Sequence, residues 1–287
     1  MPVPASSLQY QDAELRQDAS LRQRYSLPTL WHLLSLDAPT VATVWFVLAA
    51  RAAHLHLHRS DTAALFLATW ILYVTDRLLD ARHGEPSPEE RHLFHGRHAK
   101  AFFAAVLCTA PVLLLLLHYM EPTLRRSWLL LGLGTASYYA WIHTSSRNAR
   151  SRLPKEISVG IGFALTIFLP EVLTGQWLAF LPQAICFAAL CWFNCTLIYE
   201  REHRSLHHAH WSTLLAIRNA TALQAALLLY SISLCFIGNA PRSVSFCIAL
   251  SAALMMALRH TRHRTQRLNY RIAADAALLT PLIFLFR

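Results

Sequence analysis

Two aspartates, Asp76 and Asp80, stand four residues apart in the segment YVTDRLLD, with Tyr73 one turn before them. On a helix this spacing puts the three side chains on one face. A carboxylate near the core of a membrane costs about 2.5–3.5 kcal/mol on insertion scales, so it faces a cavity or a partner. Paired carboxylates at a helix end suit Mg²⁺, a hard cation that takes oxygen ligands and bridges to phosphate. Arg77 and Arg82 offer the alternative, helix-end ion pairs. A second acidic pair, Glu200 and Glu202, follows in LIYEREHR. Two apart, these point to nearly opposite sides of an ideal helix, so they converge on one metal only if the helix ends there. Arg201 and His203 alternate with them, which leaves a solvated loop equally open. Asn194 lies two turns deeper, where an unpaired amide is costly. Arg147, Arg150, Arg152 and Lys155 in RNARSRLPK could hold an anion, arginine being suited to bidentate phosphate contact. A basic loop of this kind is also what a cytoplasmic topology signal looks like.

Histidine supplies the other candidate chemistry, with 16 in the chain. His54, His56 and His58 alternate, and His92, His95 and His98 form HxxHxxH. His203, His207 and His208 read HxxxHH, which resembles one box of the membrane di-iron desaturases and hydroxylases. Those enzymes need several such boxes, and the spacing of three between His92 and His95 does not supply another. A histidine-rich di-iron oxidoreductase stands as one alternative, solvated or interfacial histidines as the plainer one. Cys108, Cys186, Cys191, Cys195, Cys235 and Cys247 contain no CxxC pair and read as small residues packed between helices.

The elements that position these groups follow from hydropathy. Of the 287 residues 55% are hydrophobic and 15% charged, against about a quarter charged in soluble domains. The charges cluster between apolar runs long enough to cross a hydrocarbon core, which takes about 20 helical residues. With no water to pair the backbone, such runs are helices. The expected fold is all-α, an integral membrane bundle of about nine transmembrane helices near 38–57, 62–80, 100–119, 126–144, 157–175, 178–198, 211–236, 243–259 and 269–286. Residues 1–26 read as a polar tail without a cleaved signal peptide, and residues 27–287 as a single transmembrane domain. LPTLWHLLSL, residues 27–36, reads as an amphipathic lead-in along the interface. The net charge of +10 is distributed by topology: about 19 of the 26 Lys and Arg fall on the side of the N-terminus and the even-numbered loops. The positive-inside rule makes that side, with both acidic motifs, cytoplasmic, and puts the C-terminus outside. Without a soluble basic domain, nucleic acid is not an expected partner.

With two acidic motifs closing spans two and six and basic loops beside them, the layout resembles the UbiA superfamily of intramembrane prenyltransferases over nearly the whole chain. The family's first motif, NDxxDxxxD, is similar to Leu72-Tyr73-Val74-Thr75-Asp76-Arg77-Leu78-Leu79-Asp80, with Leu72-Tyr73 at the leading Asn-Asp. Tyr199-Glu200-Arg201-Glu202 stands at the second motif with Glu for Asp, and Tyr139 and Lys155 resemble the tyrosine and lysine near the family's fourth-to-fifth loop. The resemblance implies a Mg²⁺–diphosphate site with Asp76, Asp80, Glu200 and Glu202 on the metal. Lys155, Arg147, Arg152, Arg77 and Arg201 would neutralise the diphosphate, and Tyr73 and Asn194 would join Asp76 and Asp80 at the reacting centre. The implied activity is transfer or cyclisation of a prenyl group from a prenyl diphosphate, with an aromatic or lipid acceptor. A non-catalytic relative that binds a lipid or a partner is the alternative within the same resemblance.

Overall fold

A computed structural model of the chain describes residues 25–83, 90–144, 154–203, 206, 209–237 and 241–285. The polar tail up to residue 24, Arg147, Arg150, Arg152, His207 and His208 lie outside the described residues, as do the side chains of Arg82 and His92. All elements described are helices: α1 (Leu27–Leu33), α2 (Asp37–Ala52), α3 (Arg59–His83), α4 (Glu90–Arg97), α5 (Ala99–Tyr119), α6 (Pro122–Thr144) and α7 (Lys155–Ile167). They continue as α8 (Leu169–Leu173), α9 (Trp177–Glu202), α10 (Trp211–Arg218), α11 (Ala220–Leu234), α12 (Arg242–Thr261), α13 (Arg267–Ala276) and α14 (Leu282–Leu285).

Among the described residues, α3, α5, α9 and α12 are each long and apolar enough to cross a membrane. The pairs α1–α2 and α10–α11 pass the same test together, bent by 93° and 80°, which makes up to six spans by length and composition. The all-helical architecture, with four to six helices able to span a membrane, is consistent with a multi-pass membrane protein. Three of the nine expected segments are interrupted helices, for local reasons. Pro170 removes the N–H that would bond the Thr166 carbonyl, and the chain breaks between α7 and α8; the Trp128 indole of α6 donates to that carbonyl at 3.4 Å. Pro281 ends the continuation of α13, since the residue before a proline disfavours helical backbone. The freed carbonyl of Leu278 accepts from the Trp45 indole of α2 at 2.7 Å. The break at Asn219 has no proline; its side chain caps α10 on the Leu215 carbonyl at 3.1 Å. The lead-in is helical as expected, but it does not simply lie on the interface: His32 and Leu33 are buried against the bundle.

Packing centres on α2 and α9. Trp45 and Phe187 are fully buried with ring centroids 4.7 Å apart, and Ile167, Leu190, Ile248 and Met255 complete the core around them. At Gly160 α7 meets α9 so closely that a Cβ would overlap the Ala188 carbonyl oxygen and press on the Trp192 amide. Small residues at such crossings let membrane helices approach. Large apolar side chains such as Leu114, Leu130 and Leu133 remain exposed along α5 and α6, a surface suited to lipid. Successive long helices alternate in direction. One end of the bundle carries the Gln176 amide on the Ala53 carbonyl and Arg51 on the Leu285 carbonyl. The other end gathers the C-terminal halves of α3 and α9 with the starts of α2, α7 and α13.

Candidate functional site

At that second end two cavities adjoin. One, of about 550 Å³, runs between α3, α6 and α7 and is walled mainly by apolar side chains, Leu72, Leu130, Ile142, Ile161 and Leu165 among them. The other, of about 340 Å³, is polar and lies among α2, α3, α7, α9 and α13. Asp37, Arg77, Arg91, Glu156, Glu202, Arg271 and Asp275 line only the polar one. Tyr73, Asp76, Asp80, Tyr139, Lys155, Val159 and Phe163 line both, so these seven residues form the junction.

The junction follows from helix periodicity. Tyr73, Asp76 and Asp80 share a face of α3, and that face looks onto the start of α7, where Lys155 is the first helical residue. Tyr73 also meets Phe163 edge-on at 6.3 Å. The expected first carboxylate pair, its tyrosine and Lys155 are thus brought together, with Tyr139 from α6 opposite.

The other expected residues are placed differently. Arg77 leaves the α3 face of the aspartates and is buried beside Asp37, with Nη2 3.5 Å from Oδ2. It is therefore a partner of Asp37 rather than of Asp76 or Asp80 in a helix-end pair. Because α9 stays helical through Glu202, the two glutamates diverge. Glu200 turns away from the cavity to Arg262 and, at 3.8 Å, Arg259. Glu202 faces the polar cavity with Arg271 at 2.6 Å and Arg91 at 3.9 Å. Arg201 donates to the Thr265 carbonyl at 2.8 Å, outside the cavity. The metal set read from the sequence is therefore split, with Asp76, Asp80 and Glu202 on the cavity and Glu200 off it. Asn194 does line the polar cavity, and its amide nitrogen donates to Asp275 Oδ1 at 2.9 Å.

Asp275 and Asp37 were not singled out by any motif. Each was nonetheless visible as a lone carboxylate at or within an apolar run, which in a membrane segment is a pointer in its own right. The His32 Nδ1 lies 2.7 Å from Asp37 Oδ2 and 3.9 Å from Asp275 Oδ2. Asp37 Oδ1 accepts from the Ala38 amide at 2.9 Å. Among the described residues, Arg77 Nη1 and Asn194 Oδ1 have no hydrogen-bond partner.

Among the described residues the histidines stand apart from one another, and His207, His208 and the side chain of His92 lie outside them. His95 is buried, 3.2 Å from the Ser35 hydroxyl and stacked on Phe102. His203 is exposed and stacked on Tyr199, and His54, His56 and His58 are exposed at the opposite end. Cys191 and Cys195 line the polar cavity, and all six cysteines are free thiols. Compared with family models, with curated proteins and with solved structures, the chain matches none.

Proposed function

We propose that the protein is an intramembrane prenyltransferase of the UbiA type, which binds a prenyl diphosphate with its head in the polar cavity and its tail in the apolar one. The observation that carries this reading is the junction itself: Asp76, Asp80 and Lys155 line both cavities at once. A ligand that fills both must be an amphiphile with a charged head, and its first tail carbons must pass the junction. Nine crossings, α2, α3, α5, α6, α7–α8, α9, α10–α11, α12 and α13–α14, with the polar end cytoplasmic, complete the proposal; the lysine and arginine asymmetry supports that orientation.

The donor set fits the metal this reading needs. Asp76 and Asp80 offer only carboxylate oxygens, one turn apart, which suits Mg²⁺ bridged to a diphosphate. Bound there, Mg²⁺ would stabilise the negative charge that develops on the leaving group. Lys155 and the guanidinium groups of Arg77 and Arg91 on the same cavity supply fixed positive charge for the phosphate oxygens. Heterolysis of the allylic carbon–oxygen bond sends its electron pair to the diphosphate. The allylic cation then forms a bond to an acceptor, which loses a proton, or to an alkene of its own chain, after which the cyclised cation loses a proton. Tyr73, Tyr139 and Phe163 at the junction exclude water and present aromatic faces to that cation.

The test is diphosphate release from geranylgeranyl diphosphate, with aromatic acceptors present, by wild type, Asp76→Asn and Asp80→Asn. Loss in both variants at unchanged melting temperature is expected; full activity in both overturns the proposal. A second reading has its own observation. Tyr73 replaces a family aspartate, and Glu202 is committed to Arg271, which suits a non-catalytic member that holds a lipid or a partner. That member would bind no prenyl diphosphate with or without Mg²⁺.

A further inference from the structure

Outside the carboxylate pair of α3, one cluster has the make-up of a metal site of its own. His32 Nδ1 and one carboxylate oxygen each of Asp37 and Asp275 lie within 4.8 Å of one another, the one such triad among the described residues. The three come from α1, α2 and α13, separated in sequence and joined by folding. His32 and Asp37 are buried, and Asp37 and Asp275 open on the polar cavity. We propose that this triad binds a divalent transition-metal ion, independently of any diphosphate.

Four observations carry the proposal. The first is the donor set. One imidazole nitrogen with two carboxylates suits Zn²⁺, Mn²⁺ or Fe²⁺, whereas Mg²⁺ and Ca²⁺ take oxygen ligands and keep clear of imidazole. The second is spacing. Ligand atoms about 2.0–2.2 Å from a tetrahedral ion stand about 3.4 Å apart. The 3.9 Å between His32 and Asp275 and the 2.7 Å between His32 and Asp37 straddle that value. The shorter contact is a hydrogen bond that would open by roughly 0.7 Å to admit the ion. The third is charge. Two carboxylates face each other with a single guanidinium, that of Arg77, reaching Asp37 at 3.5 Å and none within salt-bridge distance of Asp275 among the described residues. The fourth is an unused acceptor. Asn194 is 6% exposed, its Oδ1 has no partner, and its amide already touches Asp275. That oxygen, on the residue that already holds Asp275 in the polar cavity, would be available to bond a metal-bound ligand. The ion would clip α1 and α2 to α13 and present an open position to the polar cavity.

The decisive measurement uses full-length protein in detergent, stripped with chelator and titrated with Mn²⁺ alone, with no prenyl diphosphate. Electron spin echo envelope modulation of the bound ion reads out a coordinated ¹⁴N directly. The expected result is one bound Mn²⁺ with imidazole ¹⁴N coupling. His32→Gln should remove the coupling and weaken binding by about 10-fold or more. Asp275→Asn should weaken it similarly, and Asp80→Asn should leave both signals intact. Binding of no Mn²⁺ by the wild type, or of Mn²⁺ without ¹⁴N coupling, overturns the proposal without reference to any variant. Coupling that persists in His32→Gln overturns it as well, since another histidine must then be the ligand.

Discussion

The two ends of the bundle spend their polar residues in opposite ways. At the end that holds Arg51 and Gln176, polar side chains finish the backbone. Gln176 and Arg51 serve carbonyls left over where helices stop, and Asp61 accepts from the His58 amide at the start of α3. Glu121 accepts from the Leu124 amide at the start of α6 at 2.7 Å. At the other end Asp76, Asp80, Lys155, the Glu202–Arg271 ion pair and Asp275 line one cavity. Arg77 Nη1 and Asn194 Oδ1, both buried there, have no partner among the described residues. Backbone termini need capping in any helical bundle, so the first pattern says nothing of function. Convergence around a cavity with unpaired buried groups is costly for folding alone, and it is the feature on which the proposed ligand site rests. Glu171 is the exception at the quiet end, buried with neither carboxylate oxygen bonded.

Substitutions at the two ends should separate these roles. The largest effect belongs to Asp80→Asn, which should lower diphosphate release by at least about 100-fold, the scale of losing one electrostatic contact to a transition state, while the thermal unfolding midpoint stays put. Arg77→Met should in addition cost about 3 kcal/mol of stability, because it strands the buried Asp37 carboxylate; chemical denaturation in mixed micelles measures it. A loss below about 1 kcal/mol would mean that Asp37 does not depend on Arg77. Gly160→Ala should cost about 1–3 kcal/mol by overpacking the α7–α9 crossing, and should leave Mg²⁺-linked ligand binding in the surviving folded protein unaltered.

The smallest effect lies at the quiet end. Glu121 is exposed, and the Thr123 and Leu124 amides hold its carboxyl below the ordinary value of 4.5. A depressed folded value stabilises the folded state at neutral pH, and that contribution is lost as pH falls through it. Glu121→Gln should therefore narrow the difference in melting temperature between pH 7 and pH 4 slightly. An unchanged difference would show that this cap contributes nothing measurable.

Particular residues show what the sequence could reveal. The i, i+3, i+7 spacing of Tyr73, Asp76 and Asp80 was enough to place them on one face, because helix geometry is local. Apolar run length was enough for a helical membrane bundle. The breaks at Phe168 and at 277–281 were also signalled, by Pro170 and Pro281, but how sharply the chain bends there depends on partners such as Trp128 and Trp45. The fate of Arg77 was not legible. Sequence neighbours suggested Asp76 or Asp80, whereas tertiary packing brought Asp37 from another helix. Glu200 was lost for the opposite reason, since α9 runs on through Glu202 and normal helical geometry sends the two glutamates apart. The grouping of His32, Asp37 and Asp275 spans more than 240 positions and has no local signature.

Whether the junction of the two cavities holds a prenyl diphosphate, as proposed, is decided by calorimetric titration of detergent-purified protein with geranylgeranyl diphosphate, with and without Mg²⁺. The expected result is saturable binding that strengthens with Mg²⁺ and loses that dependence in Asp80→Asn. No binding under either condition would contradict it.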